Sequence, residues 1–412
     1  MFDSKTTVQD DLRGGNAPWS GRLKATRARL ERNIRCEILV VGAGITGALM
    51  AEHLTALGHE VCVIDRERPG FGSTAASTAM LQWEIDCSLA ELTNFYGFER
   101  AATIYRHSLK AVAGLKALVD GLQLPCAFRH QHSLYLAGGE SGVRELLAEH
   151  GLRERAGLPG SYLDYPTLRH EYGFEREAAI LSPGSADADP LCLSHGLIAV
   201  AAARGTPIYD AEAVSYDSSR HGVTVGLDNG FVIEAQRVVL ATGYVMPDFV
   251  KSELHKTSSS WAIATPPQAP DARWRDGVLI WEASEHYHYL RTTADNRIII
   301  GGEDDDAVTE PEARDKAMAK KADTLLATLR TLVPKAEARA DFIWSGAFGE
   351  TLDGLPLIGQ VPGHPRLYAA YGYGGNGITF SFLASRLLGR LIAGHHEPWY
   401  DDIALGRPMP GG

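Results

Sequence analysis

Residues 38–47 read Ile-Leu-Val-Val-Gly-Ala-Gly-Ile-Thr-Gly, an apolar run that leads directly into three closely spaced glycines. A short run of this kind, rich in β-branched residues, is typical of a strand buried in a parallel sheet. Apolar residues then recur near helical spacing up to Gly58, and residues 60–65 predict a second strand. The stretch therefore predicts a βαβ unit whose first turn is built from glycine.

Gly42, Gly44 and Gly47 follow the G-x-G-x-x-G spacing of a dinucleotide-binding turn. In such turns the first glycine allows the tight bend, the second lets the backbone approach a pyrophosphate, and the third packs the helix against the strand. Asp65, 18 residues after Gly47, lies near the expected position of a ribose-binding carboxylate. We therefore predict dinucleotide binding, with FAD and NAD both open, because an acid at this position disfavours the 2′-phosphate of NADP.

Composition excludes several other classes of protein. The 412 residues suggest two or three compact units, and a net charge of −11 disfavours nucleic acid as a partner. Five cysteines, odd in number and without a C-x-x-C pair, argue against a disulfide framework and a zinc site. We predict no metal centre and a reducing, cytoplasmic location. No apolar stretch approaches the length of about 18 residues that spans a membrane, so we predict no transmembrane segment.

Further segments rich in glycine and hydroxyl side chains follow in order along the chain, at residues 72–78, 241–243, 351–359 and 374–379. Together with residues 42–47 and Asp65, they resemble the D-amino-acid oxidase/glycine oxidase superfamily of FAD enzymes over about residues 36–395. The resemblance implies an α/β fold, in which a Rossmann-like FAD-binding domain of the glutathione-reductase type is interleaved with an α+β substrate domain built on an antiparallel sheet. It also favours FAD over NAD.

The predicted domains are discontinuous. Residues 1–35 form an N-terminal arm, which we interpret as a surface strap, although its arginines leave a targeting segment open. The FAD-binding domain takes residues 36–85, 190–250 and 340–412, and the substrate domain takes residues 86–189 and 251–339. The acidic run at residues 303–306 is predicted to be a solvated loop.

The resemblance also implies a set of residues that contact FAD. The glycine turn would hold the pyrophosphate, Asp65 the adenosine ribose, Val214 the adenine, and residues 353–359 the pyrophosphate and ribityl chain. The implied contacts are Gly42, Gly44, Ile45, Thr46, Gly47, Asp65, Arg66, Ser73, Thr74, Ser77, Thr78, Val214, Thr242, Gly243, Gly346, Asp353, Gly374, Gly375, Asn376, Gly377 and Ile378. We expect FAD to be non-covalent, because Gly346 stands where some relatives have a flavin-attaching cysteine.

Residues 374–378 also have a physical reason to lie near the flavin. A flavin that accepts a hydride at N5 develops negative charge at N1 and C2=O, and the positive end of a helix stabilises such charge. Glycines in this segment let backbone amides come close to the cofactor. The segment therefore predicts a helix N-terminus beside the flavin.

Substrate recognition departs from the family pattern. Amino-acid oxidases of this group clamp the substrate carboxylate with an arginine, but Phe348 stands at that position, so a simple α-amino acid is disfavoured. In residues 286–291 a period of two places Tyr287, Tyr289 and Arg291 on one face of a strand. Arg291 is either a carboxylate clamp or a structural arginine. Glu84 is either a counter-ion for an ammonium group or a solvated acid, and no catalytic residue is singled out.

The function implied by the resemblance is oxidation of a C–N bond in an amine or amino-acid derivative. Hydride would pass from the carbon next to nitrogen to flavin N5, and water would hydrolyse the resulting imine. The electron acceptor would be O2, or a quinone or electron-transfer partner. Two alternatives stay open: oxidation of a C–OH group in a hydroxy acid or polyol phosphate, and a flavin-carrying electron-transfer subunit of a complex.

Overall fold

The computed structural model describes residues 12–19, 28–139, 141–250, 252–284 and 287–409. Its strands are β1 (Arg13–Gly15), β2 (Ala28–Arg29), β3 (Ile34–Val41), β4 (Val61–Asp65), β5 (Met80–Leu81), β6 (Arg129–Ala137), β7 (Ser161–Asp164), β8 (Ala178–Asp187), β9 (Ile208–Asp210), β10 (Ala213–Ser218), β11 (Val223–Leu227), β12 (Val232–Leu240), β13 (His255–Ala264), β14 (Leu279–Ala283), β15 (His288–Thr292), β16 (Ile298–Asp305), β17 (Phe342–Thr351), β18 (Leu357–Gln360) and β19 (Leu367–Tyr371). Its helices are α1 (Ile45–Ala56), α2 (Ser73–Ala76), α3 (Leu89–Tyr96), α4 (Phe98–Leu122), α5 (Val143–Arg155), α6 (Tyr165–Tyr172), α7 (Pro190–Ala203), α8 (Pro311–Leu332) and α9 (Gly377–Ile392).

Nine of the described strands form a sheet with a parallel centre. Strands β19, β12, β3, β4 and β9 lie side by side and run in the same direction. Strand β12 changes partner along its length. Its first half pairs antiparallel with β11, whereas Val238, Val239 and Leu240 pair in parallel with β19. The sheet therefore carries the meander of β10, β11 and β12 on one side of its parallel centre.

Helix α1 packs between α7 and α9 and against β3 and β4. Leu49, Met50 and Leu54 of this helix are completely buried. Burial of a side chain of this size stabilises the fold by about 1.5–3 kcal/mol. This packing fixes the first turn of α1, and with it the glycine turn, against the end of β3. Among the described helices, none is both long enough and apolar enough to cross a membrane.

The second sheet has ten described strands, in the order β1, β17, β13, β16, β15, β14, β6, β8 and β5, with β7 beside β8. Its pairs are antiparallel except for β14 with β6. Leu325 and Leu329 of α8 are fully buried and belong to one apolar cluster with Trp261 of β13. The predicted fold class, a parallel Rossmann-like sheet combined with an antiparallel one, is confirmed.

The boundaries of the two domains remain a prediction. Strand β17 lies within residues 340–412, predicted for the FAD-binding domain, yet it pairs within the ten-stranded sheet. Strand β5, in the predicted range 36–85, also joins that sheet. The chain therefore crosses between the two sheets more often than the predicted ranges indicate.

The described part of the N-terminal arm contributes to both sheets: β2 pairs with β9 in the nine-stranded sheet, whereas residues 12–19 are built into the ten-stranded sheet. Strand β1 pairs with β17, and this close approach needs glycine, because a Cβ on Gly15 would lie 2.4 Å from the carbonyl oxygen of Ile343. Leu12, Arg13 and Trp19 are buried. The prediction of a surface strap is therefore wrong for residues 12–19, and residues 1–11 and 20–27 lie outside the described residues.

The acidic run at residues 303–306 was predicted to be a solvated loop, and this is wrong for its first three residues. Glu303, Asp304 and Asp305 end strand β16 and are partly buried. Lys321 of α8 compensates two of these charges, because its Nζ lies 3.7 Å from Glu303 Oε2 and 3.4 Å from Asp305 Oδ2. Asp306 remains exposed. The pairing of β16 with β13 is what draws these acids into the sheet.

Candidate active site

One cavity of about 740 Å³ is lined by residues of both sheets, a volume typical of cofactor and ligand sites. The cavity has two parts, which are lined by different kinds of residue. The glycine-turn part includes Gly42, Gly44, Asp65, Arg66, Glu212 and Val214. The aromatic part includes Asp86, Tyr244, Trp281, Tyr287, Tyr289 and Phe348.

The turn between β3 and α1 leaves no room for a side chain at two of its positions, Gly42 and Gly47. Gly42 has a φ of +106°, and a Cβ there would lie 2.3 Å from the carbonyl oxygen of Ala241. A Cβ on Gly47 would lie 1.8 Å from the carbonyl oxygen of Gly42. Gly44 lines the cavity, and the nearest atom to its Cβ position is Thr74 Oγ1 at 3.2 Å. Gly42 and Gly47 are thus required by the turn itself, whereas Gly44 opens it toward the cavity.

Asp65 ends strand β4 and is held by the backbone of the turn. Its Oδ2 accepts a hydrogen bond from the N–H of Ala43 at 2.5 Å, and its Oδ1 accepts one from the N–H of Glu67 at 2.7 Å. The neighbouring Arg66 lies 3.4 Å from Glu212 Oε1. The Asp65 carboxylate is therefore fixed at the cavity wall, where a carboxylate can accept hydrogen bonds from the hydroxyl groups of a ligand.

The hydroxyl-rich loop around α2 forms another wall of the cavity. Thr74 Oγ1 accepts a hydrogen bond from the N–H of Ile45 at 2.9 Å. The indole nitrogens of Trp19 and Trp344 donate to carbonyl oxygens of the loop at 2.9 and 2.8 Å. Ser73 Oγ is buried and has no hydrogen-bond partner among the described residues. A buried hydroxyl in this state is costly, so this position fits a polar group of a ligand.

Helix α9 begins at the cavity, which Gly377 and Ile378 line. Just before it, Gly374 has a φ of +56°, and the N–H of Gly375 donates to Asp86 Oδ2 at 2.6 Å. The positive end of the helix favours negative charge on a group bound in the cavity. Asn376 does not line the cavity, because its Nδ2 donates to carbonyl oxygens of residues 82 and 84 at 3.2 and 2.7 Å.

Most of the residues predicted to contact FAD meet at this one cavity. Those that line it are Gly42, Gly44, Ile45, Thr46, Asp65, Arg66, Ser73, Thr74, Ser77, Thr78, Val214, Thr242, Gly243, Gly346, Gly374, Gly375, Gly377 and Ile378. Gly47, Asp353 and Asn376 lie behind the wall. Asp353 is completely buried and forms an ion pair with Arg407 at 2.8 Å, so its carboxylate supports the turn after β17.

Glu84 and Arg291 do not reach the cavity, whereas Tyr287, Tyr289 and Phe348 line it. Glu84 is 2% exposed and accepts hydrogen bonds from the hydroxyls of Ser133 and Ser185. It is thus neither a counter-ion in the cavity nor a solvated acid, which corrects both alternatives offered from the sequence.

Of the two roles left open for Arg291, a carboxylate clamp and a structural arginine, its hydrogen bonds match the second. Its Nη1 donates to the carbonyl oxygens of Thr78, Ala79 and Ala188 at 2.9, 2.7 and 3.1 Å. The guanidinium is 2% exposed and ties the hydroxyl-rich loop to the end of β8. A carboxylate clamp at this position is therefore a prediction that the geometry does not support.

Asp86 is the residue of the aromatic part that the sequence interpretation missed. It follows Glu84 by two positions in a segment without regular strand structure, where alternation gives no guide to side-chain direction. The sequence indicated that an acid of this segment could reach the cavity, but not which of the two acids does so. The turn at Gly374 and Gly375, almost 290 residues away, determines that Asp86 is the acid that reaches the cavity.

The electrostatics of the aromatic part are dominated by negative charge. The Asp86 side chain is exposed to the cavity, yet it lies deep within the protein, and the resulting desolvation raises its pKa to about 6. The hydrogen bond from Gly375 opposes this increase, and the charges of Glu350 and Asp304 add to it. Burial also raises the pKa of Asp304 to about 6 and that of Tyr244 to about 12. The tyrosine therefore stays neutral at physiological pH.

The glycine turn, the Asp65 carboxylate, the unpaired Ser73 hydroxyl and the start of α9 all face one cavity, and together they fit FAD. Fold and site thus define a dinucleotide-dependent oxidoreductase of the α/β class. A family model described as DAO, FAD dependent oxidoreductase, matches residues 37–391. The chain belongs to this family of FAD-dependent oxidoreductases.

Curated relatives and solved structures agree with this assignment. The chain is similar to gamma-glutamylputrescine oxidoreductase of Escherichia coli K12, with 26% identity over 392 residues, which cover 93% of this chain and 90% of the relative. It is also similar to glycine oxidase of Geobacillus kaustophilus, with 24% identity over 375 residues, or 87% and 93% of the two chains. The crystal structure of glycine oxidase from Geobacillus kaustophilus matches with a TM-score of 0.77 and 21% identity, covering 91% of this chain and 99% of that chain.

Membership in the family confirms the predicted FAD-dependent enzyme with non-covalent FAD. The amine and amino-acid oxidoreductases among the relatives also bear out the predicted reaction class, oxidation of a C–N bond. The residue contacts to FAD remain a prediction from the geometry of the cavity.

Proposed function

We propose that the protein oxidises the C–N bond of an amine that carries no carboxylate next to the reacting carbon. The observation that carries this proposal is the lining of the aromatic part. Phe348 lines this part at the position where the family resemblance implies a carboxylate-binding arginine, and Asp86 adds a negative charge to the same lining. A substrate carboxylate there would be desolvated without a cationic partner, which is unfavourable.

No basic residue of the described chain lines the aromatic part of the cavity. Among the lining residues that the structure describes, Arg66 is the basic one, and it belongs to the glycine-turn part, beside Glu212. Arg291 is committed to backbone carbonyls. An amine without an adjacent carboxylate therefore suits the aromatic part better than an α-amino acid does.

FAD, when bound, accepts a hydride from the carbon next to the substrate nitrogen. The residues of the chain supply binding and orientation. The glycine turn and the first turn of α1 suit the pyrophosphate, Asp65 suits the ribose, and the positive end of α9 favours negative charge near Gly377. Tyr287, Tyr289 and Phe348 exclude water from the carbon–nitrogen bond, so water adds to the imine after hydride transfer.

The test is anaerobic mixing of the purified holoenzyme with a panel of possible substrates. The panel contains aliphatic amines, glycine, D-alanine, N-methyl amino acids and hydroxy acids, and the flavin absorbance near about 450 nm is followed. We expect bleaching by amines and at least tenfold slower bleaching by the amino acids. Bleaching by hydroxy acids alone would overturn the proposal, and no bleaching by any compound would favour an electron-transfer subunit.

The proposal includes an electron acceptor and a location. Reoxidation of the reduced flavin by O2, compared with reoxidation by a quinone dye, distinguishes an oxidase from a dehydrogenase. We infer a cytoplasmic location because Cys36, Cys62, Cys87 and Cys126 are free thiols, and thiols persist in a reducing compartment. Fractionation of cells that make the protein tests this location.

A further inference from the structure

The aromatic part of the cavity contains one carboxylate with a defined place and no cationic partner in the described structure. Asp86 Oδ2 accepts the N–H of Gly375 at 2.6 Å, and the side chain lines the cavity. This hydrogen bond fixes the carboxylate without neutralising its charge. An asparagine would serve the turn equally well, so the turn alone does not explain an acid here.

Aromatic rings stand around this carboxylate. Tyr244, Tyr287, Tyr289 and Trp281 line the same part of the cavity, and the ring centroids of Tyr287 and Tyr289 are 6.0 Å apart. Trp281 stacks on Tyr135 with centroids 4.0 Å apart, which holds its ring in place. The Trp281 Nε1 is buried and makes no hydrogen bond to the described residues. Ring faces attract cations through their quadrupoles, and the combination of rings and a carboxylate is typical of ammonium recognition.

Negative charge is in excess around these rings. Glu350 is matched by Lys256, whose Nζ lies 3.1 Å from Glu350 Oε1. Asp304 lies against Ser260 and Tyr287, and its Oδ1 is buried without a hydrogen-bond partner in the part of the chain that is described. The other nearby cation, Lys321, forms ion pairs with Glu303 and Asp305, and its charge also lowers the pKa of Asp304, although the net effect there is an increase. The described side chains also give no cluster of His, Cys, Asp or Glu arranged to hold a metal ion, so a metal does not account for the charge.

We propose that Asp86 and the rings of Tyr244, Tyr287, Tyr289 and Trp281 bind an ammonium group of the substrate that does not itself react, so that the substrate is a diamine or polyamine. This inference rests on the proposed amine oxidation. Loss of a hydride from the carbon next to nitrogen requires the lone pair of that nitrogen, because the lone pair becomes the second bond of the imine. A carboxylate and ring faces stabilise the protonated amine instead, so the nitrogen held at Asp86 is a second one.

The first experiment measures cation binding without turnover. Tetramethylammonium has no nitrogen lone pair and cannot form an imine, so the holoenzyme is titrated with its chloride salt at about pH 8, where carboxylates are ionised. The change in flavin absorbance gives Kd, and tert-butyl alcohol serves as the neutral probe of similar shape. For Asp86→Asn we expect Kd for the cation to rise at least tenfold, with no change for the alcohol, and for Tyr287→Leu a severalfold rise.

Asp306→Asn is the matched control, because Asp306 directly follows β16, is exposed and does not line the cavity. It removes one negative charge outside the cavity, so its Kd should stay within about twofold of the wild-type value. Thermal unfolding of each holoenzyme establishes that the variants are folded. Should Asp86→Asn fail to fold, Tyr287→Leu and Asp86→Glu replace it, with weakened binding expected for the first and near wild-type binding for the second. Unchanged binding in Asp86→Asn, or in Tyr287→Leu where it is the substitute, overturns the inference.

The second experiment compares substrates. We expect kcat/KM for α,ω-diamines of about three to six carbons to exceed that for the monoamines of equal length at least tenfold, and Asp86→Asn to remove this preference. Equal values for diamines and monoamines in the wild-type enzyme would overturn the substrate class. Absence of flavin bleaching by every amine would instead overturn the proposed function, and the tetramethylammonium titration would still decide whether the cation site exists.

Discussion

Arg407 and Asp353 form a two-armed ion pair: Arg407 Nη2 lies 2.8 Å from Asp353 Oδ1, and Nε lies 3.0 Å from Oδ2. The same carboxylate accepts a hydrogen bond from the hydroxyl of Tyr96 at 2.5 Å. Burial acts to raise the pKa of Asp353, but hydrogen bonds and charge from Arg407 lower it below its ordinary value. The pair joins the end of the chain to the turn after β17, close to the wall of the cavity.

Removing one partner of this pair should destabilise the protein strongly. Both side chains are at most 1% exposed, so Arg407→Leu leaves a buried carboxylate without its cation. We expect the free energy of unfolding to fall by about 3–5 kcal/mol, measured by denaturant unfolding of the holoenzyme. Arg339→Ala is the control, because its ion pair with Asp341 is exposed to solvent and should contribute little to stability. Equal stability of the two variants would contradict this account of the pair.

Gly47→Ala should abolish FAD binding. The added Cβ would lie 1.8 Å from the carbonyl oxygen of Gly42, so α1 would have to move away from the turn that faces the cavity. We expect purified protein with less than about a tenth of the wild-type flavin content, read from its absorbance spectrum. Gly121→Ala in α4 meets no atom within 4 Å and should keep its flavin. A full flavin complement in Gly47→Ala would refute the proposed role of the turn.

Cation binding in the aromatic part should depend on pH. Burial raises the pKa of Asp86 to about 6, and the neighbouring charges of Glu350 and Asp304 act in the same direction. The carboxylate is thus charged above about pH 6, and its protonation below this value should weaken tetramethylammonium binding severalfold between about pH 8 and pH 5. The other groups that act on Asp86 are the N–H of Gly375 and, through Glu350, the ammonium of Lys256.

The control for this profile is Asp86→Asn. Asp304 also has its pKa raised to about 6, so some pH dependence should persist in the variant, but with less than about half of the wild-type change in log Kd. The same Kd profile in both proteins would show that another group is responsible.

Phe348→Arg should shift the substrate preference toward amino acids. The substitution adds a guanidinium to the aromatic part, where it can pair with a substrate carboxylate and neutralise Asp86. We expect the ratio of anaerobic flavin reduction rates, glycine over amine, to rise at least tenfold. Phe348→Leu keeps the position apolar and should leave this ratio near the wild-type value. If Phe348→Arg and Phe348→Leu give the same ratio, residue 348 does not determine the preference for amines over amino acids.

The features that the sequence predicted well are local ones. The glycine turn, Asp65 and the strand–helix–strand order follow from residues that are neighbours in the chain, and their spacing determines their geometry. The alternation that placed Tyr287 and Tyr289 on one face is also local, because one strand direction defines it. These predictions needed no knowledge of which distant segments meet.

The features that the sequence did not reveal depend on partners far away in the chain. The side chain of Asp353, for which the resemblance implies a contact to FAD, is bound by Arg407. Glu84 was offered as either a counter-ion or a solvated acid, but serines of β6 and β8 enclose it. The acidic run near residue 304 was expected in solvent, yet pairing of β16 with β13 buries part of it. In each case the residue type indicated a polar partner, and only the tertiary structure identified that partner.

The pairing of β1 with β17 has a consequence for synthesis of the protein. Gly14 lies opposite Ser345, and the parallel sheet likewise places β19 beside β12. In a chain emerging from the ribosome, β1, the first of the described strands, has no partner until β17 has been translated. Neither sheet is complete before β17 and β19 have been translated, so each keeps an exposed strand edge until then, and rapid overproduction should favour aggregation over assembly of the native enzyme.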